Sequence, residues 1–216
     1  MTDEHGAARR NAVRRAWDAV ADDYAAARRA DGPDTDLLRE LAADLADGTD
    51  GPARVLDVGC GDGRRTIATL HDADPALDVV GLDFSRVQLD LARRAVPRAA
   101  VVQADMTALP FVEESFDAIT AYHAVFHVPR EEHPGVYREF ARVLRPGGAV
   151  LTTVGSGRSE SVRRNWLGSG HAMFWSTPGS EATKSQLREA GFAIEWERRV
   201  DDPLGSTALF VLARRE

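Results

Sequence analysis

The chain of 216 residues holds one cysteine, Cys60, and one lysine, Lys184. A single cysteine excludes an internal disulfide framework and any cysteine-based zinc cluster. No apolar run approaches the ~20 residues that a membrane-spanning helix requires. Residues 1–10 are charged and lack the apolar middle of a secretory signal, so the expected location is cytoplasmic. Positive charge is also in short supply: 27 Lys and Arg stand against 34 Asp and Glu, a net charge of −7. That balance disfavours a nucleic-acid partner held through phosphate neutralisation. The preference for arginine over lysine reads as genome composition. No internal repeat or low-complexity segment interrupts the chain.

What is present is an ordinary globular sequence, 44% hydrophobic, of a length that makes one domain with a proper core. Val13, Trp17, Val20 and Tyr24 recur at helical spacing and predict an amphipathic N-terminal helix. Asp31-Gly32-Pro33-Asp34 breaks it, and Leu37, Leu38, Leu41 and Leu45 predict a second helix. Residues 1–50 therefore read as a helical cap on the same domain. After a turn-rich linker at 47–52, strands and helices alternate. Strands are expected at 54–58, 78–83, 99–103, 116–121 and 149–154. Helices are expected at 64–70, from Ser85 to 95, and at 134–144, where Pro146-Gly147-Gly148 stops the last. The segment 155–180 is Gly- and Ser-rich yet carries Trp166, Met173, Phe174 and Trp175. A helix at 180–190 and strands at 192–197 and 207–213 follow. Repeated βαβ units with short apolar strands predict an α/β fold, doubly wound around a mostly parallel sheet.

The chemistry concentrates where the first strand ends, at Asp57-Val58-Gly59-Cys60-Gly61-Asp62-Gly63. In doubly wound sheets, ligands sit outside the carboxyl ends of the strands, where strand order reverses. Three acids fall at three successive strand ends: Asp57, Asp83 and Asp105. Asp57 is placed to organise the loop and offset a nearby ammonium or sulfonium. Asp83, at its distance along the βαβ unit, can accept from ribose hydroxyls. Asp105 can accept from the exocyclic amine of a base whose ring face Met106 covers. Glycines at 59, 61 and 63 permit close backbone approach to a ligand. Dinucleotide sites prefer Gly-x-Gly-x-x-Gly, but here Arg64 stands in the final glycine's place, and Asp62 would repel a pyrophosphate. The loop suits a nucleoside ligand without phosphates.

Taken in order, these residues resemble a class I S-adenosylmethionine-dependent methyltransferase of the small-molecule type with a seven-stranded, Rossmann-like sheet. The resemblance runs from about Ala53 to Val154. It rests on Val55 to Gly63, on Val80-Gly81-Leu82-Asp83-Phe84-Ser85, and on Gln103-Ala104-Asp105-Met106 followed by Leu109-Pro110-Phe111. It extends through Phe116-Asp117 to His127-Val128, and ends on Leu144-Arg145-Pro146-Gly147-Gly148. It implies S-adenosylmethionine as donor and S-adenosylhomocysteine as product, with no metal. It also implies that Asp57, Gly59 and Gly61, with Cys60 between them, hold the methionine portion. Asp83 would hold the ribose, Phe84 and Met106 the adenine faces, and Asp105 the adenine amine. Tyr24 would lie near the cofactor carboxylate, and Tyr122 joins the donor-side set. An antiparallel strand at the sheet edge, 207–213, is implied as well.

A sulfonium methyl is already activated, so alignment and exclusion of water supply most of the rate. A base matters only for a nucleophile that arrives protonated. The end of the fourth strand, Tyr122-His123-Ala124-Val125-Phe126-His127, faces that position. His123 and His127 are the candidate catalytic residues; each has the alternative of bonding only loop backbone. The 155–180 segment is expected to be a substrate or lid element, with Trp166, His171 and Trp175 beside His123 as acceptor contacts; a satellite core is its alternative. Arg9, Arg10, Arg14 and Arg15 read as a solvated helix face. The expected partner is a small molecule accepting on O, N, C or S, with neither nucleic acid nor membrane involved. Three rival readings stay open: a dinucleotide oxidoreductase, a non-catalytic S-adenosylmethionine-binding protein, and a tRNA or protein methyltransferase.

Overall fold

A computed structural model describes residues 2–27, 29–48, 51–201 and 207–216, with side chains of the first helix described from His5 onward. The elements in chain order are α1 (Thr2–Ala27), α2 (Thr35–Gly48), β1 (Arg54–Val58), α3 (Thr66–Ala73), β2 (Asp78–Asp83), α4 (Arg86–Ala95), β3 (Ala100–Gln103), β4 (Phe116–Ala121), α5 (His133–Val143), β5 (Leu144–Val154), β6 (Arg158–Arg163), β7 (Met173–Pro178), α6 (Ser180–Glu189), β8 (Phe192–Asp201) and β9 (Thr207–Arg215).

Seven strands form one sheet in the order β3-β2-β1-β4-β5-β9-β8. β1 lies parallel to both β2 and β4, β2 to β3, and β4 to β5. The one antiparallel strand, expected at the edge, is β9. It is next to last, bonded to β5 on one side and to the edge strand β8 on the other.

Alternate residues of each central strand feed two cores. Leu56, Val58, Ile119 and Val150 pack toward α5 and α6, meeting Val136, Tyr137, Phe140 and Leu187. Val55, Ala118 and Leu151 pack on the opposite face, meeting Leu38, Leu41, Leu45, Ile67, Leu70 and Leu89 of α2, α3 and α4. Burial on both faces is why these strands read as apolar runs. Ser85 caps α4 by accepting from the Gln88 amide at 3.2 Å.

The structure departs from expectation at several ends. α1 begins at Thr2, a full three turns before the apolar stripe at Val13, and these turns are docked through Arg10, which pairs with Asp105 and Glu132. α3 begins at Thr66 instead of residue 64, since Gly63 holds φ +70°. β5 starts at Leu144 and runs through Pro146-Gly147-Gly148. The triplet makes an irregularity in the β4–β5 register instead of a stop. The 155–180 segment forms a hairpin of β6 and β7, a separate two-stranded sheet.

The order β2-β1-β4 reverses the direction of chain travel between β1 and β4. The carboxyl ends of β1 to β4 therefore open a crevice between Gly59–Gly63, Asp83–Phe84, Asp105–Met106 and Tyr122–His127. α1 lies across it, packed on α4 and β7.

Candidate functional site

The glycine loop is held by backbone bonds. The amides of Gly59 and Cys60 donate to the Leu82 carbonyl at 2.7 and 3.0 Å, tying the loop to the end of β2. Gly59 has φ +72°, and a Cβ there would stand 2.5 Å from the Ala124 Cβ. Gly61 has φ +55°, with nothing nearer than 3.7 Å to its missing Cβ, so its open side belongs to the cavity. Cys60 also lines the cavity. Burial pushes its thiol well above the usual range, which makes it a packing group and no nucleophile.

The three predicted acids take different posts. Asp57 is buried beneath the loop. One oxygen accepts from the Thr120 hydroxyl at 2.8 Å, and the other has no hydrogen-bond partner among the described residues. Burial pushes its carboxyl up to about 7; the Thr120 bond opposes this and the charge of Asp83 adds to it. Asp57 does not line the cavity, so only its field, and no direct contact, reaches that space. Asp83 does line it. Its oxygens accept from the amides of Gly61 at 3.0 Å and Ser85 at 2.8 Å, leaving lone pairs for ligand hydroxyls. Burial raises it to about 6 despite those amides. Asp105 accepts from the Thr107 amide and hydroxyl at 3.0 and 2.8 Å. Its second oxygen accepts from Arg10 Nε at 2.7 Å. Phe84 and Met106 lie beside it on the cavity wall.

α1 supplies more of the site than its sequence suggested. Arg10, read as part of a solvated face, is largely buried and joins Asp105 to Glu132. Asp18 accepts from the Ser85 hydroxyl at 2.6 Å. Trp17, counted only as a core residue of the helix stripe, meets Tyr24, His127 and Trp166 with ring centroids 4.9, 5.5 and 4.8 Å apart. Tyr24 lines the cavity as expected. Arg65, also unforeseen, borders the cavity and is buried in an ion pair with Asp34.

At the end of β4 the predicted residues separate. Tyr122 borders the cavity, but its buried hydroxyl donates to the Asp34 carbonyl at 3.2 Å. Its phenol therefore holds α2 in place. His123 stands at φ +53°, a strained conformation for a non-glycine residue, while its amide donates to Thr153 Oγ1 at 2.8 Å. The residue borders the cavity, and its ring lies between Phe126 and Phe210 with Nε2 buried. His127 Nδ1 lies 3.0 Å from the Phe174 carbonyl. A carbonyl only accepts, so Nδ1 carries the proton and Nε2 is an acceptor. Burial holds His127 down at about 4, neutral at physiological pH.

The hairpin completes the wall. Trp166 and Trp175 line the cavity, 5.7 Å apart edge to face, and Trp175 is 5.7 Å from His127. Ser159, Ser161 and Arg163 project from β6 into the same space. His171 does not: it is exposed, outside the lining, and its carbonyl accepts from the Trp166 amide at 2.9 Å to close the hairpin's connection. The expected histidine contact is a turn residue, since an exposed connection points its side chain to solvent.

The continuous cavity measures about 710 Å³, large against the ~300 Å³ at which ligand pockets begin. One end is acidic, glycine-rich and without a free cation among the described residues. The other is aromatic. Asp57 has an orphaned oxygen, burial raises both Asp57 and Asp83, and neither carboxyl has a cationic partner among the described residues. A ligand with cationic charge and hydroxyl donors fits that end, and a pyrophosphate does not.

Residues 55–148 match the family described as "Methyltransferase domain". The chain is 38% identical over 113 residues to a demethylmenaquinone methyltransferase from Renibacterium salmoninarum, covering 52% of this chain and 45% of that protein. It spans less than half the length of the first curated relatives it matches. Among solved structures it resembles the 1,6-didemethyltoxoflavin-N1-methyltransferase of Burkholderia thailandensis, with bound 1,6-didemethyltoxoflavin and S-adenosylhomocysteine. There the TM-score is 0.67 at 22% identity, over 95% of this chain and 88% of that one. It also resembles the [4+2]-cyclase SpnF, with a TM-score of 0.62 at 24% identity over 83% and 80%.

Proposed function

We propose that this chain, which has the class I methyltransferase fold, is an enzyme that moves a methyl group from S-adenosylmethionine to a small molecule. The carrying observation is the cavity itself: an acidic, phosphate-excluding end under a glycine loop, joined without a break to an aromatic chamber. When bound, the donor supplies a methyl group already activated on a sulfonium. Asp83 would accept from the ribose hydroxyls, Phe84 and Met106 would cover the adenine, and Asp105 would accept from its amine. Gly59 and Gly61 would pass close to the methionine portion, beside Tyr24. Asp57 would favour positive charge from beneath.

The protein's own work is positional. Trp17, Trp166 and Trp175 keep water from the chamber and hold an acceptor against the donor end. His127, with its lone pair on Nε2 and a depressed basicity, suits accepting a hydrogen bond more than removing a proton from an alcohol. His123 is the stronger candidate for contact with an ionising acceptor. The 155–180 segment, with residues 1–50 as a cap on the same domain, forms the acceptor wall. The proposed compartment is the cytoplasm.

Because the fold also occurs in a cyclase, the test reads transfer directly. Calorimetric titration with S-adenosylmethionine, S-adenosylhomocysteine and NAD should show micromolar binding of the first two only. A cell-metabolite screen should then release S-adenosylhomocysteine. Binding of NAD without S-adenosylmethionine would overturn the reading. Donor binding with no turnover on any fraction would favour a non-catalytic binding role.

A further inference from the structure

Resting on the reading of the cavity as donor site plus acceptor chamber, we propose that the acceptor is a flat aromatic compound bearing an anionic group, and that Arg163 selects the anion. Three arginines line the cavity. Arg10 is neutralised by Asp105 and Glu132, and Arg65 by Asp34. Arg163 forms no ion pair among the described residues. Its guanidinium carbon stands over the Trp175 ring, 5.1 Å from the centroid. Such a cation–π contact uses no N–H donor, so the guanidinium's N–H fork remains available to a carboxylate.

The strand that carries Arg163 explains why its charge is uncompensated. In β6 successive side chains point to opposite faces. Ser159, Ser161 and Arg163 face the cavity, whereas Glu160 turns away to Arg9 at 3.3 Å and Arg130 at 3.0 Å. The hairpin's acid is thus spent outside the chamber. The acids inside it, Asp62, Asp83 and Asp105, gather at the opposite, glycine-loop end.

The walls set the shape of the body attached to that anion. Trp17 and Trp166 meet at 75° and Trp166 and Trp175 at 76°, so both ring faces and ring edges are presented to the chamber. Such surfaces suit an aromatic plane, which can stack on one ring while another points into it. An aromatic box can also receive a cation, but Arg163 at its rim repels one. The two β6 serines add hydroxyls beside the fork and suit oxygen substituents near the anionic group.

The test uses 3-hydroxy-2-naphthoate and its uncharged counterpart 3-hydroxy-2-naphthamide, titrated calorimetrically into the full chain saturated with S-adenosylhomocysteine. The carboxylate should bind at least about tenfold tighter, the scale of one charge-assisted bond. Arg163→Gln should erase that preference and Arg163→Lys should keep part of it. Arg163 is exposed, so both variants should fold, which near-ultraviolet circular dichroism checks. Equal affinity for the two probes in the wild type, or an undiminished preference in Arg163→Gln, would overturn the assignment. A tenfold loss of S-adenosylhomocysteine binding in Arg163→Gln would also overturn it, by placing the guanidinium on the donor. A wild type that binds no S-adenosylhomocysteine at all would sink the donor reading, and the acceptor role with it. Equal probe affinities beside normal S-adenosylhomocysteine binding would sink the anion alone.

Discussion

Asp57→Asn should make the ligand-free protein more stable, increasingly so as pH rises. Wild-type Asp57 carries an ordinary carboxylate value of 3.8 when unfolded and about 7 when folded. An acid raised in the folded state stabilises fully below its unfolded value and loses that contribution as pH climbs to the folded one. Between pH 5 and pH 8 the wild-type chain loses about 2–3 kcal/mol from this group alone, at ~1.4 kcal/mol per pH unit over the interval where the two states differ. Asparagine keeps an oxygen for Thr120 to donate to and carries no charge. Its amide takes the place of an oxygen that already lacks a partner, so the orphan persists in neutral form. The histidines titrate with the opposite sign, His127 above all, but they are common to both proteins and cancel in the difference. For a chain this long, 2–3 kcal/mol corresponds to a gap in melting temperature roughly 5–10 °C wider at pH 8 than at pH 5. Differential scanning calorimetry of both proteins at the two pH values measures it. A gap that stays constant with pH, or closes, would refute an ionised, buried, uncompensated carboxylate under the loop.

The same acids should make donor binding pH-dependent: a cation favours their ionised forms, so S-adenosylmethionine affinity should rise about tenfold from pH 5.5 to pH 8. S-adenosylhomocysteine, which has lost the sulfonium charge, should gain less; parallel curves by calorimetry would contradict the charge argument. Gly59→Ala must place a Cβ 2.5 Å from that of Ala124 at a positive φ. It should cost on the order of 2–3 kcal/mol in urea unfolding and abolish donor binding. Arg10→Ala removes the link from α1 to Asp105 and Glu132, so hydrogen exchange across the first half of α1 should accelerate at least tenfold while β1 and β4 stay protected.

The sheet was legible because β1, β2, β4 and β5 are buried on both faces and so appear as apolar runs, closed by an acid or a glycine except at β4, which Tyr122 follows. The glycine-loop end of the cavity was legible for a related reason: its residues sit at strand ends, where position along the chain nearly fixes position in space. β6 was not. Arg-Ser-Glu-Ser-Val-Arg is exposed throughout and pairs only with β7, so no hydrophobic alternation announces it. The Arg10–Asp105 contact spans 95 residues and turns on a helix docking angle that no local pattern records. The direction of the Tyr122 hydroxyl was hidden for the opposite reason. Its backbone is at the predicted place, but the χ angles that send its hydroxyl to Asp34 are set by tertiary packing against Phe210.

The hairpin of β6 and β7 hydrogen-bonds its ladder to itself and adds no strand to the seven-stranded sheet. Its attachment to the rest always has a side chain on one side: Met173 and Phe174 against Val13 and Ala16, Arg9 with Glu160, the Ser176 hydroxyl under the Arg130 amide, and His127 on the Phe174 carbonyl. Such an element can be exchanged like a cartridge. Its replacement leaves the main-chain ladder of the seven-stranded sheet in place, provided the new hairpin again offers a carbonyl to His127 and a hydroxyl to the Arg130 amide. On the proposed function, the wall facing the acceptor can therefore change without altering the strands that carry the glycine loop, and a hairpin graft at residues 157 and 179 is the natural point of entry for redesign.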